Sequence, residues 1–298
     1  MDYHLHLHSW IPADTKAVMI LVHGMAEHGA RYEKFAKQLN AEGVAVYAPD
    51  LRGHGQTAMT VADLGYKEDG DFFGKTIGDL RTLHDRLIEK YPNKPIFIFG
   101  HSMGSFLSRA YSSVHGEELS ALIISGTGGD PGFLGQVGHF IAKLISIFGK
   151  KKESPFLKKM SFGKFNDEFQ PARTDFDWLS RDENEVDKYI NDPYCGTTFT
   201  SGFWVHFLKG LKYINSVQAY NTTPNDLPIY IFSGSKDPVG DGGKGVKEVY
   251  DRYIAEGAEN IAMKLYPDGR HEMLNETNQE RVKQELLDWL KLLIKSTN

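Results

Sequence analysis

The chain has 298 residues, 41% hydrophobic and 24% charged, with a formal net charge of −5. That balance is typical of a globular protein with length for a large buried core, and it argues against nucleic acid as a partner, which would call for a basic face. The single cysteine, Cys195, excludes an intrachain disulfide, and no run approaches the roughly 18 apolar residues that span a bilayer.

Met1-Asp2-Tyr3-His4 has neither the basic nor the apolar region of a secretory signal, so the expectation is a cytoplasmic protein. Tyr3 to Trp10 alternates, with Tyr3, Leu5 and Leu7 on one face and His4, His6 and His8 on the other, which predicts a half-buried strand. No Cys or carboxylate accompanies these histidines, so they read as a solvated edge rather than a metal site. Ala17 to Val22 is continuously apolar, the pattern of a strand buried on both faces. It stops at His23-Gly24-Met25-Ala26-Glu27-His28-Gly29. Helical spacing from Arg31 to Gly43 precedes a strand at Val44–Ala48, followed by Pro49-Asp50-Leu51-Arg52-Gly53-His54-Gly55. A polar, glycine-rich loop over Gln56–Phe73 leads to a helix over Thr76–Tyr91, which Pro92 stops. Pro95 to Phe99 is then an apolar strand ending in Gly100-His101-Ser102-Met103-Gly104, with a helix over Met103–His115 at once behind it. A strand over Leu119–Ser125 follows. Strand and helix alternate throughout, which predicts an α/β fold with a mostly parallel, doubly wound sheet.

The alternation breaks after Gly129. Residues 130–220 carry helical patterns and aromatic residues but no clear strand, and are expected to form a helical cap inserted into a core of residues 1–129 and 221–298. Its first helix puts Phe133, Leu134, Val137, Phe140, Leu144 and Phe148 on one broad face and ends in Lys150-Lys151-Lys152. Such a face packs into a core, or else covers an active site with a cationic rim able to touch an anionic lipid surface. Phe140 and Leu144 here, with Phe203 and Phe207 of a second helical stretch, are the candidate acyl-pocket residues. Strands resume at Ile229–Phe232 and Ile261–Tyr266, separated by a helix over Val246–Gly257, and a helix over Asn278–Lys295 closes the chain.

Gly-x-Ser-x-Gly between a buried strand and a helix is the setting in which a serine sits exposed on a sharp turn, with glycines where bulk would clash. Serine alone is a weak nucleophile; it needs a base and a carboxylate to orient that base. In this setting the acid and then the histidine follow the serine in the chain. Asp237 and His271 do so, each on a loop at the carboxyl end of a strand, where catalytic groups of parallel sheets gather. Asp50 precedes the serine, and Asp130 is a weaker rival. His84, His115, His139 and His206 fall on helices, their ends or the inserted segment, and Cys195 has no base placed beside it. The backbone N–H groups of Met103, after the nucleophile, and Met25, in the His-Gly turn, are the candidate donors to a tetrahedral oxyanion. This chemistry requires no metal or organic cofactor.

His23-Gly24-Met25-Ala26-Glu27-His28 with Arg31-Tyr32, Asp50-Leu51-Arg52-Gly53-His54-Gly55, Gly100-His101-Ser102-Met103-Gly104 and Gly269-Arg270-His271-Glu272 resemble the monoacylglycerol lipase/lysophospholipase group of serine hydrolases, of the serine aminopeptidase S33 type. The resemblance covers most of the chain. It implies an α/β-hydrolase core, a helical cap after the sixth strand of that fold, and hydrolysis of a long-chain acyl ester such as a monoacylglycerol or lysophospholipid. Two departures stand out: only one strand precedes Val18-Met19-Ile20, and the stretch Asp175-Phe176-Asp177-Trp178-Leu179 matches no lid motif. A prolyl-type aminopeptidase or an acyltransferase remains open on the same three residues. The peptidase would need an acidic site for the substrate amine, and Glu183, Glu185 and Asp187 read better as a solvated helix face. A silent binding scaffold predicts a missing member of the three, and none is missing. An epoxide hydrolase or dehalogenase would need Asp where Ser102 stands.

Overall fold

The computed structural model describes residues 4–296; Tyr3, the start of the first predicted strand, lies outside them. β1 (Leu7–Trp10) is antiparallel to β3 (Val44–Pro49), and every other pair in the seven-stranded sheet is parallel, in the order β1-β3-β2-β4-β5-β6-β7. Among the described residues a single short strand therefore precedes β2 (Ala17–Val22).

The continuous apolar runs are explained by burial on both faces. In β2, Val18, Ile20 and Val22 join one core while Ala17, Met19 and Leu21 join the other, all at 0% exposure. Each such larger side chain contributes on the order of 1.5–3 kcal/mol through removal from water. The second core is closed by α1 (Glu33–Ala41), through Phe35 and Leu39, and by the C-terminal helix Gln279–Ser296, through Leu286 and Leu290. The first is closed by α2 (Phe72–Lys90), α3 (Met103–His115) and the helix Lys244–Ala255. Helices on both faces make the sheet doubly wound.

Helix α2 begins a turn earlier than its spacing predicts. Asp71 caps it, its carboxylate accepting the Phe73 N–H at 3.1 Å, and Phe72 and Phe73 are buried rather than part of a loop. β4 (Ile96–His101) and β5 (Ala121–Ser125) lie at the sheet centre.

Between β5 and β6 (Ile229–Gly234) run five α-helices: α4 (Gly132–Ile147), α5 (Pro155–Phe162), α6 (Glu183–Asn191), α7 (Ser201–Ile214) and α8 (Val217–Asn221). α7 packs into the core beside α2 and α3, and α4 lies on α7. α9 (Lys244–Ala255), β7 (Ile261–Tyr266) and α10 (Gln279–Ser296) complete the chain. Among the described residues no helix is long and apolar enough to cross a membrane.

Candidate active site

Ser102 follows the last residue of β4 and opens α3 with φ 52° and ψ −120°, a strained conformation for a residue with a side chain. The turn is tight because its neighbours are glycines. A Cβ on Gly100 would lie 2.3 Å from the Gly104 carbonyl oxygen, and one on Gly104 2.0 Å from that of Val22. The strained turn lifts the Ser102 hydroxyl into a cavity of about 420 Å³ that Met25, His101 and His271 also line.

His271 lies beyond β7 and Asp237 beyond β6, at 2% and 0% exposure. His271 Nδ1 donates to Asp237 Oδ1 at 2.9 Å, which leaves Nε2 as the acceptor nitrogen. The Ser233 hydroxyl (2.6 Å, to Oδ2) and the Val239 N–H (2.9 Å, to Oδ1) hold the carboxylate in place. Burial pulls the imidazole pKa down, but the charge and hydrogen bond of Asp237 outweigh it and carry it above its ordinary value. Burial likewise opposes the Asp237 charge, and His271 overcomes it, holding the carboxyl below its usual range. The ring of His101 packs 4.7 Å from His271, and its pKa is lowered to about 4 by burial and by that neighbour.

The loop after β2 is held from both sides. His23 Nε2 accepts the Leu51 N–H at 2.9 Å, so Nδ1 is the donor to the Gly24 carbonyl at 2.8 Å. Glu27 Oε1 accepts the Gly24 N–H at 2.6 Å and the Tyr32 hydroxyl at 2.8 Å. Among the described residues the backbone N–H groups of Met25 and Met103 meet no acceptor. Met103 is at the first position of α3, where an N–H has no intrahelical partner.

A buried ion network, unforeseen in the sequence, ties this loop to the histidine. Arg31 Nη1 donates to Glu27 Oε2 at 2.6 Å, and the two Nη atoms grip Glu272, next to His271, at 2.7 Å each. Burial opposes charge on both acids, and Arg31 reverses it, so both carboxyl pKa values are lowered. The four-residue spacing of Glu27 and Arg31 was the one available signal. Glu27→Ala, which removes the acceptor for Gly24, is expected to lower kcat about 10²-fold, the cost of misplacing one oxyanion donor. Glu27→Gln keeps an acceptor and should lose much less; kcat and KM of the two variants, measured with their thermal midpoints, check this.

The acyl-pocket candidates are corrected by the structure. Phe140 and Leu144 are exposed on the outer side of α4, which turns Gly138 and Ala142 inward instead. Phe203 and Phe207 are buried in core packing, Phe203 lying 4.2 Å from Phe199 and 4.7 Å from Phe72 by ring centroids. None of the four lines the cavity. Its apolar wall is Phe162, Phe176, Trp178 and Leu179, with Trp178 only 5.1 Å from the His271 ring. Three of the four, Phe176, Trp178 and Leu179, lie in the very stretch that matched no lid motif.

The rival groups are occupied elsewhere. Asp50 accepts the N–H groups of Gly29 and Gln56, and Asp130 caps Gly132. Glu183 and Asp187 pair with Arg173, and Glu185 with Lys188, outside the cavity.

A parallel sheet whose strand ends gather a strained serine, a carboxylate-bound histidine and unpaired backbone donors around an apolar cavity defines an α/β-hydrolase. The comparisons with known proteins agree. The family model described as serine aminopeptidase, S33 matches residues 13–278. A monoacylglycerol lipase of Mycolicibacterium smegmatis is 29% identical over 94% of this chain and 90% of its own length. The mouse monoglyceride lipase is 27% identical over 90% and 84%. The crystal structure of a thermostable carboxyl esterase from Bacillus coagulans, in complex with glycerol, superposes with a TM-score of 0.91 at 29% identity, covering 97% of this chain and 94% of that one. The chain belongs to the serine aminopeptidase S33 family, is monoacylglycerol lipase-like, and is a serine hydrolase of the esterase and lipase class.

Proposed function

We propose that the protein hydrolyses long-chain acyl esters, monoacylglycerols or lysophospholipids, through an acyl-enzyme on Ser102. His271 Nε2 takes the Ser102 proton as Oγ attacks the ester carbonyl, and the Met25 and Met103 N–H groups receive the oxyanion. The alcohol leaves with the proton from His271, and water repeats the cycle. Asp237 fixes the tautomer and stabilises the imidazolium. The observation that carries the reading is the cavity, in which Ser102 and His271 meet an apolar wall of Phe162, Phe176, Trp178 and Leu179 suited to an acyl chain.

Residues 130–220, on this reading, are a cap over that cavity. Residues of this segment supply the apolar wall. The outer side of α4 exposes Phe133, Phe140 and Ile147 at 77, 62 and 73%, beside Lys150, Lys151 and Lys152. That surface suits transient contact with an anionic lipid interface that delivers the substrate. The peptidase reading is less well supported. Of the cavity carboxylates, Glu27 and Glu272 are held by Arg31, and Asp175 lies within the field of Lys158, leaving poor provision for a substrate amine.

The test is a hydrolysis panel of monoacylglycerols and lysophosphatidylcholines of increasing chain length, short p-nitrophenyl esters and prolyl-naphthylamides. Long-chain esters are run both dispersed and in anionic vesicles. The expected order is long-chain esters above short ones, with vesicles accelerating only the former. Preference for the prolyl amides would sink the ester assignment, and equal rates with and without vesicles would remove the interfacial role of α4.

A further inference from the structure

Outside the proposed catalytic groups, two clusters among the described residues have the donor set of a transition-metal site, and one of them includes a thiol. His28, Asp192 and Cys195 each bring one ligand atom, and the three atoms lie within 4.8 Å of one another. They come from two parts of the fold: His28 from the loop that carries Met25, Asp192 and Cys195 from the turn after α6. That turn is pre-formed. Asp192 Oδ1 accepts the Tyr194 N–H at 2.9 Å, and the Asp192 carbonyl accepts the Cys195 N–H at 3.0 Å. Oδ2 is left to meet His28 Nε2 at 2.8 Å. The turn is also fastened to the His28 loop, since the Gly196 N–H and the Tyr189 hydroxyl both donate to the Ala26 carbonyl, at 2.9 and 3.0 Å. The turn is thus held by contacts that leave Asp192 Oδ2 and Cys195 Sγ uncommitted to it, with Oδ2 and His28 Nε2 already face to face.

Thiolate, imidazole and carboxylate together suit zinc and its neighbours rather than magnesium or calcium, which take mainly oxygen. One thiolate and one carboxylate neutralise a divalent ion, and three protein ligands leave a fourth position for water. Arg31, the cation facing Cys195, is already neutralised by Glu27 and Glu272. A second group, His6, His8 and Asp50, has no sulfur, and its carboxylate is committed to the N–H groups of Gly29 and Gln56.

We propose that His28, Asp192 and Cys195 form a binding site for a zinc-class divalent cation, which clamps the turn after α6 to the loop bearing Met25. On binding, the Cys195 thiol proton leaves to solvent and the imidazole proton moves from Nε2 to Nδ1. The net release is the thiol proton, one per ion. The two clamped segments are walls of one cavity, through Ala26 and Gly196, so the bound ion would hold those walls together. The site itself stands or falls independently of the substrate assignment.

Titration of the intact protein with Co²⁺ tests the site directly. The expected result is one ion per chain, a thiolate-to-cobalt charge-transfer band in the near ultraviolet, and displacement of the band by Zn²⁺. Cys195→Ser should abolish the band and weaken Zn²⁺ binding at least about tenfold, and Asp192→Asn should weaken it as well. His8→Gln should change neither, and circular dichroism confirms that each variant is folded. Absence of the charge-transfer band in the unaltered protein, or Zn²⁺ affinity unchanged in folded Cys195→Ser, would overturn the proposal.

Discussion

Ser102→Ala is expected to lower kcat for p-nitrophenyl ester hydrolysis by about 10⁶-fold, the scale on which serine hydrolases lose turnover when the nucleophile is removed. The substitution deletes one oxygen and keeps the Cβ, so the backbone at φ 52° carries no new strain and Gly100 and Gly104 still fit their close approaches. Thermal stability and circular dichroism should therefore match the unaltered protein. The cavity wall is untouched, so the variant should still bind a long-chain monoacylglycerol. Turnover within tenfold of the unaltered protein would mean that another group attacks the ester.

Asp237→Asn should cost about 10⁴ in kcat, because an amide that donates to His271 Nδ1 favours the wrong tautomer. It should also move the pH profile. In the proposed mechanism activity needs neutral His271, whose pKa Asp237 holds above its ordinary 6.5. The acid limb of kcat/KM therefore lies above that value and should shift to lower pH in the variant, where burial acts on the imidazole without the opposing charge and hydrogen bond of Asp237. The pair also couples to stability with opposite signs. Raised His271 stabilises most below its ordinary value and loses that contribution as pH climbs through its folded value. Depressed Asp237 stabilises above its ordinary 3.8 and loses it as pH falls through its folded value. The extra stability of the unaltered protein over Asp237→Asn should thus be largest in the mildly acidic window between them, as denaturant midpoints at several pH values would read.

Much of this was legible in the sequence, for definite reasons. A strand buried on both faces, such as Ala17–Val22 or Ile229–Gly234, can only be a continuous apolar run, so sheet and strand ends could be read directly. Ser102 and Asp237 sit just past such ends, His271 beyond the half-buried edge strand Ile261–Tyr266, and the structure brings Ser102 and His271 to one cavity with Asp237 bonded behind the histidine. The cavity wall was not legible. Phe162, Phe176 and Trp178 lie on a short helix, a turn and a single 3₁₀ segment, too short for any hydrophobic period to emerge. The long apolar face of α4 misled for the opposite reason: its period is clear, but periodicity does not say whether such a face meets a core, a ligand or solvent. The start of α2 was hidden because Gly70 and Gly74 resemble a loop, while the Asp71 cap and the burial of Phe72 and Phe73 decide it.

The central claim is that ester hydrolysis proceeds through a covalent bond to Ser102. Intact-mass analysis and peptide mapping after reaction with a long-chain alkyl fluorophosphonate test it most directly. The account predicts one phosphonyl group per chain, located on Ser102, formed in step with the loss of esterase activity and absent in Ser102→Ala. Complete inactivation with the label on any other residue, or with Ser102 unmodified, would contradict it.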